Sequence, residues 1–394
     1  MARSLIVLSA FAFVSLGLPD GLLGVAWPSM RIAFGRNLDA LGVLLVATTA
    51  GYIAASLSSG RVLRHVNLGA VLALSCLLTA FALVGYATSR DWRLVVALGF
   101  LLGAGGGGID VALNTYAATN HGPRTLNLLH ACYGVGASLG PLIMTSVLSR
   151  GQPWQRGYAV VGVAQLVLAA SFASTIRRWP LASAAASHSP SHATLRATLG
   201  RPATLVAALA FIAYAGVEAS IGAWTYTLLT LDRGLPASYA GALVSTFWGG
   251  LTAGRLMAAL AGGLLPTHRL LQLATASVLG GTLLLWLGSV PVLMLAGVAL
   301  AGSACGPIFP TLVATTPLRL GAAHTPNAVG IQIAASGLGL SVVPALVGVI
   351  ADATGVGTIA LLFVGLAILL LVVYDALERI APVAPRVISA DNQA

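Results

Sequence analysis

Twelve long apolar stretches follow one another along this chain, at 4–28, 40–60, 68–88, 94–119, 128–149, 157–176, 203–230, 238–262, 269–288, 291–316, 327–350 and 356–377. A helix needs about 20 apolar residues to cross the hydrocarbon of a bilayer. Soluble domains carry roughly 25 % charged residues; here only 8 % of 394 residues are charged and 58 % are hydrophobic. A water-soluble fold of this length has no interior large enough to hide so much apolar surface. The sequence therefore predicts an all-α membrane protein with twelve transmembrane helices. The stretch "MARSLIVLSAFAFVSLGL" reads as the first of these and not as a cleaved leader, because no small-residue cleavage site followed by polar sequence comes after it.

The formal charge of +10 comes from twenty arginines and no lysine, scattered singly or in pairs between apolar runs. A surface that tracks nucleic acid needs a basic stripe with interleaved aromatics, so a nucleic-acid partner is excluded. Cys76, Cys132 and Cys305 lie inside apolar runs without metal or disulfide spacing. They read as packing residues, and no metal or cofactor is expected. No H-E-x-x-H or G-x-S-x-G motif is present, which argues against an enzyme.

Related patterns recur at nearly one offset. "LPDGLLG" carries Asp20 and Gly24; "GVEASIG" carries Glu218 and Gly222. Gly60-Arg61 corresponds to Gly254-Arg255, and "GVGASLGP" (134–141) to "GLGLSVVP" (337–344). Three matches in order point to a duplicated six-helix unit. The expected organisation is an N-terminal six-helix bundle (1–176), a cytoplasmic linker (177–202) and a C-terminal six-helix bundle with a short tail (203–394). The linker, rich in Ala, Ser and His, has room for a short surface helix. With the N-terminus inside, thirteen arginines fall in inner segments and seven in outer ones, which places both termini in the cytoplasm.

Of ten acidic residues, seven sit in loops or near span ends, and Asp20, Asp110 and Glu218 do not. An ionised carboxylate at mid-bilayer costs about 2.5–3.5 kcal/mol on insertion scales, so each needs a partner, a wet cavity or a proton. Residues three, four or seven apart share a helix face. Asp110 then shares a face with Gly106 and Asn114, Glu218 with Tyr214, Gly222 and Thr225, and Asp20 with Gly24 and Trp27. Asn127, His130 and Gly134 form another polar stripe, as do Gln332, Ser336 and Gly339. Polar side chains that could grip hydroxyls thus include Asp20, Asn114, His130, Glu218 and Gln332; Trp27, Trp224, Tyr226 and Trp248 could lie against a sugar ring. "GLPDG" and "CGPIFP" are expected to bend spans 1 and 10. "GAGGGGIDVALN" (103–114) has the G-x-G-x-x-G spacing of a dinucleotide cradle. It lacks the preceding strand and the acid about 20 residues on, and reads as helix packing.

Twelve spans, duplicated halves and a central polar loop together resemble the major facilitator superfamily. "GGIDVALNTYAA", "TLNLLHACYGVGASLGP" and "FIAYAGVEASIGAW" are similar to spans 4, 5 and 7 of its fucose/proton symporter branch. The resemblance covers the whole chain. It implies a proton-coupled symporter importing a neutral monosaccharide by alternating access, working as a monomer in the plasma (inner) membrane. Asp110 matches the acid tied to proton coupling, Asp20 the acid tied to substrate, and Asn114 and His130 polar cavity positions. Asp20 and Glu218 join Asp110 as proton-coupling candidates. The superfamily places an Asp after Gly between spans 2 and 3, whereas "GRVLRHVNLG" has Arg64 there. Arg61, Arg64 and Arg255 are the expected gating residues. A proton-driven exporter of drug-like or natural-product molecules is the alternative reading of the same scaffold.

Overall fold

The computed structural model describes residues 2–120, 123–179, 193–260, 265–288 and 290–383. Every regular element among them is helical. Six long helices come first: α1 (Ala2–Ala33), α2 (Ala40–His65), α3 (Leu68–Thr88), α4 (Trp92–Asn120), α5 (Pro123–Ser149) and α6 (Gln155–Thr175). After the short α7 (Leu195–Leu199) come α8 (Pro202–Thr227), α9 (Ala237–Leu260), α10 (Thr267–Leu287), α11 (Pro291–Cys305), α12 (Ile308–Leu320), α13 (Thr325–Thr354) and α14 (Thr358–Ile380). Eleven helices among the described residues are long and apolar enough to cross a membrane, with α11 and α12 together making one of them. The stretch expected at 238–262 is helical as α9, but it falls outside those eleven. Ser238, Tyr239, Ser245, Thr246, Trp248 and Thr252 dilute its apolar content.

The two proline-bearing stretches behave differently. α1 runs unbroken through Pro19 and Pro28. The second stretch does break: α11 ends at Cys305, and Gly306 and Pro307 separate it from α12. Pro307 removes a backbone donor and Gly306 lacks the restraint of a side chain, so the adjacent pair breaks a helix where a lone proline does not.

Packing in the first half is repeated in the second. α1 packs on α5 and α6, α2 on α4, and α3 on α4 and α6. Correspondingly, α8 packs on α13 and α14, α9 on α11, and α10 on α11 and α14. Contacts between the halves obey the same symmetry, with α5 against α9 and α13 against α2. The glycines that match in sequence occupy matching places. Gly134 abuts Thr252 of α9, while Gly337 abuts Thr49 and Ile53 of α2. Gly24 and Gly222 face one another where α1 meets α8: a Cβ on Gly24 would sit 2.6 Å from the carbonyl oxygen of Gly222.

The linker's ends are anchored to different halves. Trp179 packs its ring on Tyr116 and Phe172, and its carbonyl accepts from Asn67 Nδ2 at 3.0 Å. On the far side, Thr194 caps α7, and Asn327 of α13 donates to the Ala193 carbonyl at 2.7 Å. Residues 180–192 of the expected linker lie outside the described residues.

Candidate functional site

The glycine run of α4 creates the site by letting its backbone sink against its neighbours. Gly103 and Gly107 lie on the α2 backbone, and Gly105 and Gly108 lie on Ser75 of α3. A Cβ at Gly107 would come within 2.7 Å of the Tyr52 carbonyl oxygen. Only glycine permits this approach, and it brings the Tyr52 phenol over Asp110. Gly106, on the Asp110 face, meets only Leu16, with the nearest atom 3.7 Å from a built Cβ.

Three helices then contribute to one string of hydrogen bonds. Tyr52 Oη of α2 donates to Asp110 Oδ2 at 2.6 Å. Asn114, one turn along α4, donates from Nδ2 to Asp110 Oδ1 at 2.9 Å. Its own Oδ1 lies 3.0 Å from His130 Nε2 of α5. Because the amide nitrogen is committed to Asp110, His130 must supply the proton of that last bond from Nε2. The imidazole also rests on Phe13 of α1, ring centroids 5.2 Å apart. Asp110, Asn114 and His130 are all half-buried.

A second carboxylate stands beside this string. Asp20 lies midway along α1 between the buried Leu18 and Leu22, yet it is itself exposed. Tyr133 of α5 donates to its Oδ2 at 2.7 Å. Close α1–α5 packing at Gly17, Gly21, Gly136 and Gly140 sets up this contact. An exposed carboxylate at mid-span needs a partner, water or a proton, and Tyr133 supplies a partner.

Glu218 of α8 forms the third node. Tyr214, one turn earlier, donates to Oε2 of Glu218 and also to the Cys305 carbonyl, the latter at 3.1 Å. Arg255 Nη2 of α9 lies 3.9 Å from the same Oε2, and its Nε donates to the Gly306 carbonyl at 3.3 Å. Asp110, Asp20 and Glu218 therefore each hold one tyrosine. The nodes also interact at longer range: Tyr133 feels the charges of Asp20, Glu218 and Arg255, and His130 those of Asp110 and Arg255.

The structure brings Asp20, Asp110, Asn114, His130, Glu218 and Arg255 into these nodes, but not the other candidates. Trp224 is fully buried; its Nε1 donates to the Pro344 carbonyl at 2.9 Å and its ring packs on Gly348, so it fastens α8 to α13. Gln332 is buried, with Oε1 accepting from Thr316 at 2.9 Å, and ties α13 to α12. Tyr226 lies eight residues beyond Glu218, about 12 Å along the helix. Trp27 is buried among aromatics, its ring 5.8 Å from Trp92. Trp248 packs against Gly222 and Phe247, with an unpartnered Nε1. The Arg61 and Arg64 side chains, like that of Asn127, lie outside the described residues. Tyr52 and Tyr133 were not legible as site residues, since neither has a carboxylate on its own helix face. Among the described residues, no three His, Cys, Asp or Glu side chains converge as a metal site.

At one end of the molecule the halves close on each other. The Leu38 amide, at the start of α2, donates to Asp352 Oδ1 of α13 at 3.1 Å. Nearby, Gly42 meets Ala345 and Gly348 approaches the Leu38 carbonyl.

Comparison with known proteins agrees with this architecture. The chain is 23 % identical to Bypass of stop codon protein 6 of Saccharomyces cerevisiae, covering 89 % of this chain and 77 % of that one. It is 20 % identical to the glucose/mannose transporter GlcP of Bacillus subtilis (85 % of each chain). It is 27 % identical to sodium-dependent glucose transporter 1 of Danio rerio (86 % of this chain, 62 % of that one). Among solved structures, a D-xylose-proton symporter superposes with a TM-score of 0.79 at 13 % identity, covering 97 % and 98 % of the two chains. FucP in its outward conformation gives 0.64 at 17 % identity over 94 % and 98 %. These superpositions establish the fold. Residues 9–291 match the Major Facilitator Superfamily, and the chain belongs to that family of membrane transporters.

Proposed function

We propose that this transporter is a proton-coupled symporter that imports a neutral monosaccharide by alternating access. The observation that carries the reading is the string Tyr52–Asp110–Asn114–His130, with the exposed Asp20 beside it. An ionisable residue deep in a membrane protein, joined to polar neighbours on two other helices, marks a proton or substrate pathway. The amide, imidazole and second carboxylate offer both donors and acceptors to hydroxyl groups. The sugar-transporting relatives support the substrate class, and the xylose–proton symporter supports the coupling ion.

In this reading α9 is the eighth of twelve spans, its polar residues turned toward the substrate path. Residues 1–176 and 203–394 are the two bundles, joined by 177–202. The arginine distribution puts both termini in the cytoplasm, in the plasma (inner) membrane, with the monomer as the working unit. The Leu38–Asp352 end is then external, and the state described is closed to the outside. Alternating access consists of breaking those external contacts while the opposite end closes. Asp110 takes a proton from outside and releases it inside; Asp20 contacts the sugar. Glu218, held by Tyr214 and Arg255, serves as an ion-paired anchor of the second bundle, and Arg255 gates through it.

The test is uptake into proteoliposomes with an imposed pH gradient and a panel of D-glucose, D-mannose, D-xylose and L-fucose. Accumulation of a sugar driven by the proton gradient supports the proposal. Accumulation driven only by a sodium gradient, as the names of several relatives suggest, overturns the proton assignment. Proton-driven efflux of a lipophilic cation, with no sugar uptake, overturns the importer.

A further inference from the structure

Three membrane spans of the second half end together at one place. The span of α8 begins at Pro202, that of α11 and α12 ends at Leu320, and that of α14 ends at Ile380. Between these ends lies a groove of about 430 Å³, lined by Arg201, Pro202, Ala203, Arg319, Ile380 and Pro382. It is remote from the transport site: Glu218 lies about 24 Å farther along α8 than Pro202, at 1.5 Å per residue.

Two guanidinium groups give the groove its sign. Arg201 Nη1 donates to the Leu320 carbonyl, which fixes the side chain at the groove. A guanidinium has five N–H donors, and this bond uses one. The almost wholly buried Arg319 donates to Thr315, the Ala381 carbonyl and Glu378. Glu378 is in turn engaged by Arg319, Tyr374 and the Val383 amide. Among the described residues no carboxylate pairs with Arg201. The groove also meets the first turn of α8, where Pro202 starts the helix. Amides there lack intrahelical acceptors, and that end of a helix favours an anion.

Depth and walls select among anions. Ends of membrane spans lie at the level of the lipid headgroups. Pro202, Ala203 and Ile380 give the groove apolar sides. Leu205 and Leu209, both exposed, lie three and seven residues beyond Pro202 and continue its helix face into the bilayer. A free phosphate gains nothing from such a strip, whereas an acyl chain covers it. We propose that this groove binds an anionic phospholipid, with its phosphate on Arg201 and the first turn of α8 and an acyl chain along Leu205 and Leu209. The lipid joins α8 to α12 and α14 at the point where Arg201 and Arg319 already link them. In the orientation proposed above it belongs to the cytoplasmic leaflet, where basic pockets between helices attract anionic headgroups.

The experiment is a lipid titration of the purified full chain in dodecyl maltoside, read as the thermal midpoint, which rises with any ligand that binds the folded state. Dioleoyl phosphatidylglycerol is expected to raise the midpoint; dioleoyl phosphatidylcholine and soluble glycerol phosphate are not. In Arg201→Gln the phosphatidylglycerol needed for the same rise should increase about tenfold, the worth of a hydrogen bond to a charged group. Ala203→Trp, which fills the groove and keeps both arginines, should abolish the rise. Arg90→Gln, at the opposite end of the molecule, should keep it. Each variant is compared with itself without lipid, so a change in baseline stability does not enter. An equal rise with phosphatidylcholine, or a rise with glycerol phosphate alone, overturns the assignment of an anionic lipid. An undiminished response in Arg201→Gln or Ala203→Trp, or an equal loss in Arg90→Gln, overturns the site.

Discussion

Asn114 Nδ2 and Asp110 Oδ1 lie 2.9 Å apart on one face of α4, one helical turn from each other. The same amide presents its oxygen to His130 across the α4–α5 boundary. One side chain thus touches both the carboxylate proposed to carry the proton and the imidazole proposed to meet the sugar. A proton on Asp110 and a hydroxyl at His130 are then coupled through Asn114, as linkage between two ligands requires.

Asp110→Asn keeps the shape of this node and removes its titration. Sugar accumulation against a gradient is expected to fall to the equilibrium level, while exchange of labelled for unlabelled sugar continues. Paired uptake and counterflow assays in proteoliposomes check this. Retained uphill accumulation would move the coupling role to Asp20 or Glu218.

His130→Ala leaves the Asn114 oxygen without its donor and opens space beside Phe13. A lost hydrogen bond in a half-buried site costs about 1–2 kcal/mol, which corresponds to a rise in KM of roughly tenfold. His130→Gln, which retains an N–H, should lose less. Initial-rate uptake of the transported sugar distinguishes the two variants. Equal loss in both would show that the ring, not the hydrogen bond, is what matters.

Far from the site, Arg319 Nη2 of α12 contacts Glu378 Oε2 of α14 at 2.7 Å. Arg319 also donates to the Ala381 carbonyl at 2.6 Å, and the guanidinium is almost wholly buried. Removing one partner of such a pair strands the other charge and costs about 3–5 kcal/mol. Arg319→Met should therefore lower the thermal midpoint in detergent well below that of the exposed-pair control Arg379→Met, whose partner is Asp375. Similar midpoints for the two variants would count against the pair as a structural tie.

The helical class and most span positions were legible because lipid imposes a length and a composition on each crossing. α9 was the exception: 238–262 read as one more apolar stretch, while its polar residues keep it below the apolar level of its neighbours. Asp110, Asn114 and His130 were legible because i, i+4 spacing and an unusual buried polar group both mark them. The tyrosines over Asp110 and Asp20 come from other helices, and no spacing along one helix reports a cross-helix bond. The aromatic candidates are ambiguous for a related reason. Tryptophan is as useful for fastening helices as for meeting a ligand, and Trp224 does the former through Pro344.

The duplicated glycines suggest where the halves pivot. Gly24 faces the Gly222 carbonyl so closely that a larger side chain must push backbone, not a flexible tip. Gly24→Val is expected to hold α1 and α8 apart and to favour the state open at the Leu38–Asp352 end. A reporter for that end is Ala345→Cys, which packs against Gly42 in the closed arrangement. Its labelling by a membrane-impermeant thiol reagent should rise severalfold when Gly24→Val is added, with sugar transport largely lost. Unchanged labelling would place the pivot elsewhere.

Asp352 offers a milder way to bias the same equilibrium. Its carboxylate accepts from the Leu38 amide at the start of α2, where helix amides are unsatisfied and a negative charge is favoured. This bond spans the two halves at the closing end, so it must break each time that end opens. Asp352→Asn keeps the size and removes the charge, a loss of about 1 kcal/mol on a bond made in only one state. By population-shift arithmetic this moves the equilibrium roughly fivefold toward the open form. Labelling of Ala345→Cys should rise by about that factor while the fold and the thermal midpoint hold. Because the substitution acts on the gate and not on the site, affinity for sugar in the state open at that end should be unchanged. A shift in that intrinsic affinity, with no change in labelling, would mean that Asp352 acts on the site and not as a latch.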